Sequence, residues 1–415
     1  MLSTDTGGHV MHPVMKPALR RGWRDRDTVQ FGMTPAHALT LGPMDPATNG
    51  FLDLLNGTRG LPLLREEGRR LDLPPGHADT LLTRLTRAGL VDDARGGGPA
   101  ADALREKTDV LARLRPDLAA LSLTTAEPGA ALARLAARRT LRVQVRGAGR
   151  VGAVLASVLS GAGVGEVDVR DTGRVEPWDV APGGLPAESL GERRDTAARN
   201  AVRHAAPGRP PRHAHSPGSG AQDAGLALVI LAPRDEVAVH APDPADAEPL
   251  LASGTPHLYA GVVEATGVVG PLVLPGASGC AGCLHLDRGD RDPAWPRLTA
   301  QWRSPKARRV AACELTLATA VAGLAAAHAL AFLDGQSPTS AGTRWEVSLP
   351  GLDWRSRPVR AHPACGCGAA QRGKKGEHTS TGGERRATMA VQRPSAERRR
   401  KAGEARPTGT WRAHV

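Results

Sequence analysis

Four of the five cysteines fall in two tight pairs. Cys280-Ala281-Gly282-Cys283 is a CxxC knuckle and Cys365-Gly366-Cys367 is a CxC pair, with 81 residues between them. Four thiolates offered from two short loops complete a tetrahedral shell around zinc and leave no open position for chemistry. A structural zinc site built by Cys280, Cys283, Cys365 and Cys367 is the expectation. The rival is a redox CxxC, which wants a thioredoxin-like setting that is absent from this sequence. The fifth cysteine, Cys313, sits beside Glu314 in an apolar stretch. It reads as a core thiol inside a long helix rather than as a nucleophile. His285 and His362 lie near the pairs and read as supporting or surface groups.

A second cluster of chemistry lies upstream, at Gly147-Ala148-Gly149-Arg150-Val151-Gly152. A GxGxxG run alone is weak, but this one has its context. The buried-strand pattern Leu141 to Val145 precedes it and the apolar helix pattern Val151 to Ser160 follows. Gly147 permits the tight turn, Gly149 lets backbone approach a phosphate, and Gly152 lets helix and strand pack closely. The helix N-terminus offers free N–H groups and partial positive charge to an anion. Asp171 closes the next strand, Val167-Asp168-Val169, nineteen residues beyond Gly152. A carboxylate there can accept hydrogen bonds from ribose hydroxyls.

These groups need elements to hold them. Leu226 to Leu231 and His257 to Val262 read as further apolar strands, and Arg344 to Leu349 alternates like one. A long Ala-rich helix is expected from Ala307 to Leu333, capped by Gly335. The front of the chain reads differently. Thr28 to Phe31 and Ala38 to Leu41 are short strand candidates. Phe51 to Leu55 is a helix fragment stopped by Asn56-Gly57. A helix carrying Leu81, Leu82 and Leu85 follows Pro74-Pro75, Gly89 ends it, and Leu90-Val91 starts a strand. Helix, turn, helix and strand in this order resemble a winged helix. Residues 93–99 read as a linker and 101–114 as a helix. Residues 207–223 read as a mobile loop.

Composition narrows the choices. The chain has 415 residues, with three Phe, one Tyr and seven Trp, so the core must be built from Leu, Val and Ala. The formal charge is +12, and residues 370–415 alone carry a net +8. The excess therefore sits mainly in a basic, disordered tail, and nucleic acid is not the partner the folded part points to. The first thirty residues carry no apolar run of the secretory type. The apolar stretch Val310 to Leu333 holds Glu314 and His328 and reads as a buried or dimer-forming helix, not a membrane span. Paired cysteines without a disulfide framework suit a reducing cytoplasm.

Glycine turn, acidic strand end, CxxC and late CxC together resemble the ThiF/MoeB family, related to ubiquitin-activating enzymes. The resemblance covers about 140–368. The stretches Gly270 to Gly276, Gly279 to Leu286, Asp290 to Pro296 and His362 to Cys367 look like an actinobacterial branch. That branch is similar to leader-peptide-binding proteins of thiazole/oxazole cyclodehydratases. It implies an α/β fold: a Rossmann-like ThiF-type domain with a mainly parallel sheet and a structural zinc site at 99–369. A winged-helix-like α+β peptide-binding domain at 1–98 precedes it, and the basic tail at 370–415 follows.

The family adenylates carboxylates with ATP and magnesium, and the resemblance carries those cofactors with it. It gives Arg150 a place at the phosphates. It puts Arg193 or Arg194, after Gly191, where the family has its catalytic lysine, and makes Asp235 the magnesium candidate. This sequence departs from the pattern. Gly173 stands where active members have a second aspartate, and Asp179-Val180 and Pro182-Gly183-Gly184 replace an Asn-Leu and an Arg-Gln pair.

The leading expectation is a protein that binds a leader peptide and a modifying enzyme of the same pathway, as a homodimer or alone. The alternative is an active adenylyltransferase working on a small carrier protein or peptide. A nicotinamide or flavin oxidoreductase is permitted by the glycine fingerprint, but no hydride-transfer pair accompanies it.

Overall fold

A computed structural model describes residues 10–209, 225–304 and 311–371. The expected lead-in at 1–9, most of the 207–223 loop and the basic tail beyond 371 lie outside the described residues.

The front module opens with β1 (Pro13–Met15) and a three-stranded antiparallel sheet of β2 (Arg21–Trp23), β3 (Val29–Phe31) and β4 (Leu39–Leu41). Helices α1 (Pro46–Leu54), α2 (Leu61–Arg70) and α3 (His77–Arg87) follow, then β5 (Val91–Asp93), which pairs antiparallel with β1. Local chemistry starts α1: Asp45 caps it, its carboxylate accepting from the Thr48 amide at 2.6 Å, with Pro46 at the first position. Helix α3 buries Ala78, Leu81, Leu82 and Leu85, the i, i+3, i+4, i+7 stripe of an amphipathic helix. Those side chains close over Val29, Phe31, Phe51 and Leu52. The order is winged-helix-like, as expected. Helix α2 goes beyond the expectation: its apolar residues crowd at one end and the rest, Arg65 to Arg70, is largely charged.

Next come α4 (Gly98–Arg105), α5 (Thr108–Thr124) and α6 (Ala130–Arg138), with a small core of Ala101, Leu104, Leu114, Leu121, Leu132 and Leu135. The Lys16 side chain reaches across from the front module. Its ammonium donates to the carbonyls of Ser122 at 2.5 Å and Thr125 at 2.6 Å.

The main domain follows as β6 (Arg142–Arg146), α7 (Arg150–Gly161), β7 (Glu166–Arg170), α8 (Arg194–Ala205), β8 (Leu228–Leu231), α9 (Glu236–His240), α10 (Pro244–Ala252), β9 (His257–Val263), β10 (Thr266–Val273), α11 (Ala281–Arg291), α12 (Trp295–Arg303), α13 (Leu315–Leu333), β11 (Thr343–Ser348) and β12 (Trp354–Pro358). One seven-stranded sheet runs in the order β12-β11-β10-β9-β8-β6-β7. The four strands from β7 to β9 are mutually parallel, as expected for a Rossmann-like domain. Beyond β9 the pairs are antiparallel.

Helices α7 and α13 pack on one face of the sheet and on each other. Their contact is small-residue chemistry: Ala153 and Ala156 of α7, and Ala318, Ala322, Ala325, Ala326 and Ala329 of α13 are buried. Among the described residues, α13 is the one helix long and apolar enough to cross a membrane, and here it is a core helix. It starts at Leu315, later than the expected Ala307. Residues 311–314 are not helical, so Cys313 lies before the helix rather than inside it. Glu314 stands in extended backbone at the N-cap position and ends the non-helical stretch.

Arg138 and Asp334 tie α6 to the end of α13 by a two-pronged ion pair at 2.6 and 2.5 Å, with side chains 6% and 3% exposed. Removing one partner of a buried pair leaves the other charge uncompensated. Arg138→Ala is therefore expected to lower unfolding free energy by about 3–5 kcal/mol in a urea titration.

His257 on β9 is buried and His240 at the end of α9 is half-buried. Burial lowers both rings to about 4 from the usual 6.5. The folded rings stay neutral while unfolded ones protonate near 6.5. Stability is thus expected to hold above that pH and to fall progressively as pH drops from about 6.5 to 4. Urea midpoints at pH 7.5 and pH 5 check this, and His257→Gln should flatten the difference.

Candidate functional site

The two cysteine pairs meet. Cys280 and Cys283 flank the first turn of α11, and the chain returns after β12 to bring Cys365 and Cys367 against them. The sulfur distances are 3.8 Å for Cys280–Cys283, 3.7 Å for Cys280–Cys365 and 3.6 Å for Cys283–Cys367. All four lie within 4.8 Å of one another. Disulfide sulfurs sit about 2.05 Å apart, so these are not bridges. Sulfurs bound tetrahedrally at about 2.3 Å from zinc stand roughly 3.8 Å apart, which is the spacing found. The cluster is fit to hold one metal ion.

The thiols also show why a cation belongs there. Cys283 accepts from Cys280 and from backbone N–H groups, which pull it down to about 4. Cys280, as that donor and in a buried setting, is pushed up. Burial pushes Cys367 up to about 11. Crowded sulfurs resist collecting negative charge unless a metal neutralises it. The neighbouring histidines support the loops: His285 Nδ1 accepts from Trp295 Nε1 at 3.2 Å, and His362 Nε2 lies 2.9 Å from Asp290.

The glycine turn lies at the C-terminal end of β6. Gly147 adopts φ +110°, and a β-carbon there would come within 2.0 Å of the Ala232 carbonyl. A β-carbon at Gly152 would meet the Gly147 carbonyl at the same distance. Glycine is thus required at both positions by close backbone approach. Asp171 stands just past β7, beside the turn. Its Oδ2 accepts from the Ala148 amide at 2.7 Å and its Oδ1 from Arg194 Nε at 2.9 Å. Arg194, at the start of α8, also donates to the carbonyls of Arg174 and Thr172.

Two cavities flank the turn. One of about 390 Å³ is lined by Gly149, Arg150, Trp178, Asp235, Val262 and Cys313, among others. A more open one of about 700 Å³ is lined by Gly147, Asp171, Arg194 and Asp235, among others. The expected site residues are therefore together in space. Each is already engaged. Arg150 Nη1 donates to the Cys313 carbonyl at 2.9 Å, while its Nε is buried without a partner. Asp235 caps α9, accepting from the Val237 amide at 3.0 Å.

The sequence reading missed Arg234, which lines both cavities. Its Nε donates to Asp179 at 2.7 Å and its Nη2 to Glu176 at 2.7 Å. Glu176 and Asp179 sit in the loop between β7 and α8 and reach the turn only through the fold. Nothing in the sequence around them announced an arginine partner more than fifty residues away.

A glycine-turn α/β domain whose late cysteines clasp an earlier helix defines a narrow class of nucleotide-type folds. The chain belongs to the ThiF family, whose description matches residues 126–369. No curated protein matches the chain by sequence. Solved structures share its fold. E. coli MccB with ATP aligns with a TM-score of 0.60 at 13% identity, covering 86% of this chain and 99% of that one. MccB, described as a microcin C7 biosynthetic enzyme and solved in complex with N-formylated MccA, aligns with a TM-score of 0.60 at 12% identity, over 86% and 99%. PaaA aligns with a TM-score of 0.57 at 15% identity, over 83% and 99%.

The four-sulfur cluster generates a direct test. Purified protein is expected to carry one zinc per chain by elemental analysis, and Cys283→Ser to lose most of it with a lowered melting temperature. Full metal content in that variant would argue against the clasp.

Proposed function

We propose that this chain holds a peptide substrate on its front module and presents it to a modifying enzyme of the same pathway. The observation that carries the reading is a groove beside an open sheet edge. Strand β4 is an outer strand of its sheet among the described residues. A cavity of about 290 Å³ runs along it, lined by Ala38, Leu39, Arg87, Gly89, Leu123 and Thr125, among others. The groove thus lies between β4, the end of α3 and the end of α5. An extended peptide adding a strand to β4 gains main-chain hydrogen bonds, while alternate side chains drop into the groove. The shared fold with MccB, solved with the peptide MccA, supports a peptide as the ligand class.

In this reading the front module at 1–98 recognises the leader, the ThiF domain at 99–369 is the docking body, and the basic segment 370–415 takes no part in either. Zinc held by Cys280, Cys283, Cys365 and Cys367 is structural. It fixes the last segment of the ThiF domain and supplies no open coordination position.

Titration with leader peptides encoded beside the gene tests the proposal. One of them is expected to bind, and Leu39→Glu, which sets a charge in the groove at an exposed position, to weaken it at least tenfold with zinc content unchanged. Failure of every neighbouring peptide to bind would remove the reading.

A second reading is supported by the fold shared with MccB bound to ATP. There the chain adenylates a carboxylate, with Gly147, Gly149, Gly152 and Asp171 cradling the nucleotide and Arg150, Arg194 and Asp235 serving the phosphates and magnesium. It requires magnesium-dependent pyrophosphate exchange that falls on Asp171→Asn or Arg194→Ala. The first reading expects no exchange with any neighbouring peptide.

A further inference from the structure

The space a nucleotide needs at a glycine turn is defined by the turn itself. The middle glycine leaves its face bare so that a phosphate can lie against backbone, and the acidic residue after the second strand receives the ribose. Both places are taken in this chain. At Gly149, an added β-carbon would stand 2.7 Å from Arg234 Cγ and 3.5 Å from its Cδ. The methylenes of Arg234 thus cover the bare face. Its guanidinium is anchored beyond, on Glu176 and Asp179. At Asp171, both carboxylate oxygens are in use and the side chain is only 7% exposed, with Arg194 beside it at 11%.

The neighbouring glycine agrees. Gly173 has φ +90°, and a β-carbon there would lie 2.9 Å from the Arg194 guanidinium. The guanidinium therefore occupies the space in which any larger side chain at 173 would sit. Charge points the same way. Arg194 and Arg234 stand among three carboxylates, those of Asp171, Glu176 and Asp179. The set carries one negative charge in excess, which is the wrong sign to greet a triphosphate. Two other arginines on the open side are also paired, Arg170 with Asp168 and Arg199 with Asp168 and Asp195, while Arg146 Nε donates to Gln144.

From these contacts we infer that the two places where this ThiF domain would touch a nucleotide, the face of Gly149 and the Asp171 carboxylate, are covered by its own side chains between the two cavities, and that the domain does not hold ATP. Arg234 lies across Gly149 as a strut that pins the 174–193 loop over the turn. Arg194 performs the same service at Asp171. A nucleotide would have to break two buried or half-buried ion-pair sets, leaving their carboxylates facing its phosphates. The turn has kept its backbone geometry, because Gly147 and Gly152 are needed for packing alone. This goes beyond the peptide reading and does not depend on it.

The experiment uses the full, zinc-loaded chain. Calorimetric titration with magnesium ATP up to millimolar concentration is expected to show no saturable binding. Hydrogen exchange in 174–193 is expected to be the same with and without the nucleotide. Arg234→Ala is expected to raise exchange of those amides at least tenfold, and Arg234→Lys, which keeps the charge but loses the fork, to raise it by less. Micromolar ATP binding by the unmodified chain would overturn the inference. So would unchanged protection of the loop in both variants. Leader titration on the same sample reads the peptide proposal separately, so either can fail alone.

Discussion

The main domain depends on a backbone contact with no tolerance. The Ala232 carbonyl at the end of β8 lies where residue 147 would carry a β-carbon, and the Gly147 carbonyl lies where residue 152 would carry one. Those contacts draw the first turn of α7 down between β6 and β8. With α7 that low, Ala148, Ala153 and Ala156 are buried in the same core as Leu155 and Leu159. Helix α13 then lies close against α7 along its own alanines. A protein with so few aromatics can still fill its core, because close approach replaces bulk.

The cysteine cluster works on the other face of the same sheet. Strands β10 to β12 extend the parallel core in antiparallel fashion, and β12 is exposed along its whole length. An outer strand of that kind gains little from burial. The return of the chain to place Cys365 and Cys367 on α11 gives it a fixed terminus instead. The sulfur cluster joins a small second core of Val229, Leu231, Leu250, Tyr259 and Val273 on the face opposite α13. The two faces of the sheet are thus secured by different means, one by alanine packing and the other by sulfur.

Much of this was legible from short, rigid chemistry. A glycine turn must be followed by a helix, and paired cysteines at loop spacing must converge if they serve one ion, so both sites could be read from types and spacing. The apolar strands β6, β8 and β9 declared themselves by composition. Strand β10 did not, because Gly267, Gly270 and Pro271 are residues that weaken or interrupt strands; the structure absorbs the last two at a register shift against β9. Helix α2 was hidden by its charge, and the start of α13 by the apolar residues that precede it. Arg234 was illegible for a deeper reason. Its meaning lies in two carboxylates more than fifty residues upstream, and ion pairs between distant segments leave no periodic trace in a sequence.

The Lys16 ammonium, seated on the last carbonyls of α5, has a consequence for geometry at a distance. Burial lowers its pKa, and the Asp92 charge opposes that shift. The Gly129 amide adds a second tie, donating to Asp92 at 2.6 Å. The front module is thereby moored at two points to the helices that lead into the sheet. A peptide fastened along β4 would leave from a fixed origin rather than a swinging one. Its far end could then sweep only a sphere whose radius is the length of free chain, so the reach to a working enzyme would be set by counting residues, as on a measured leash.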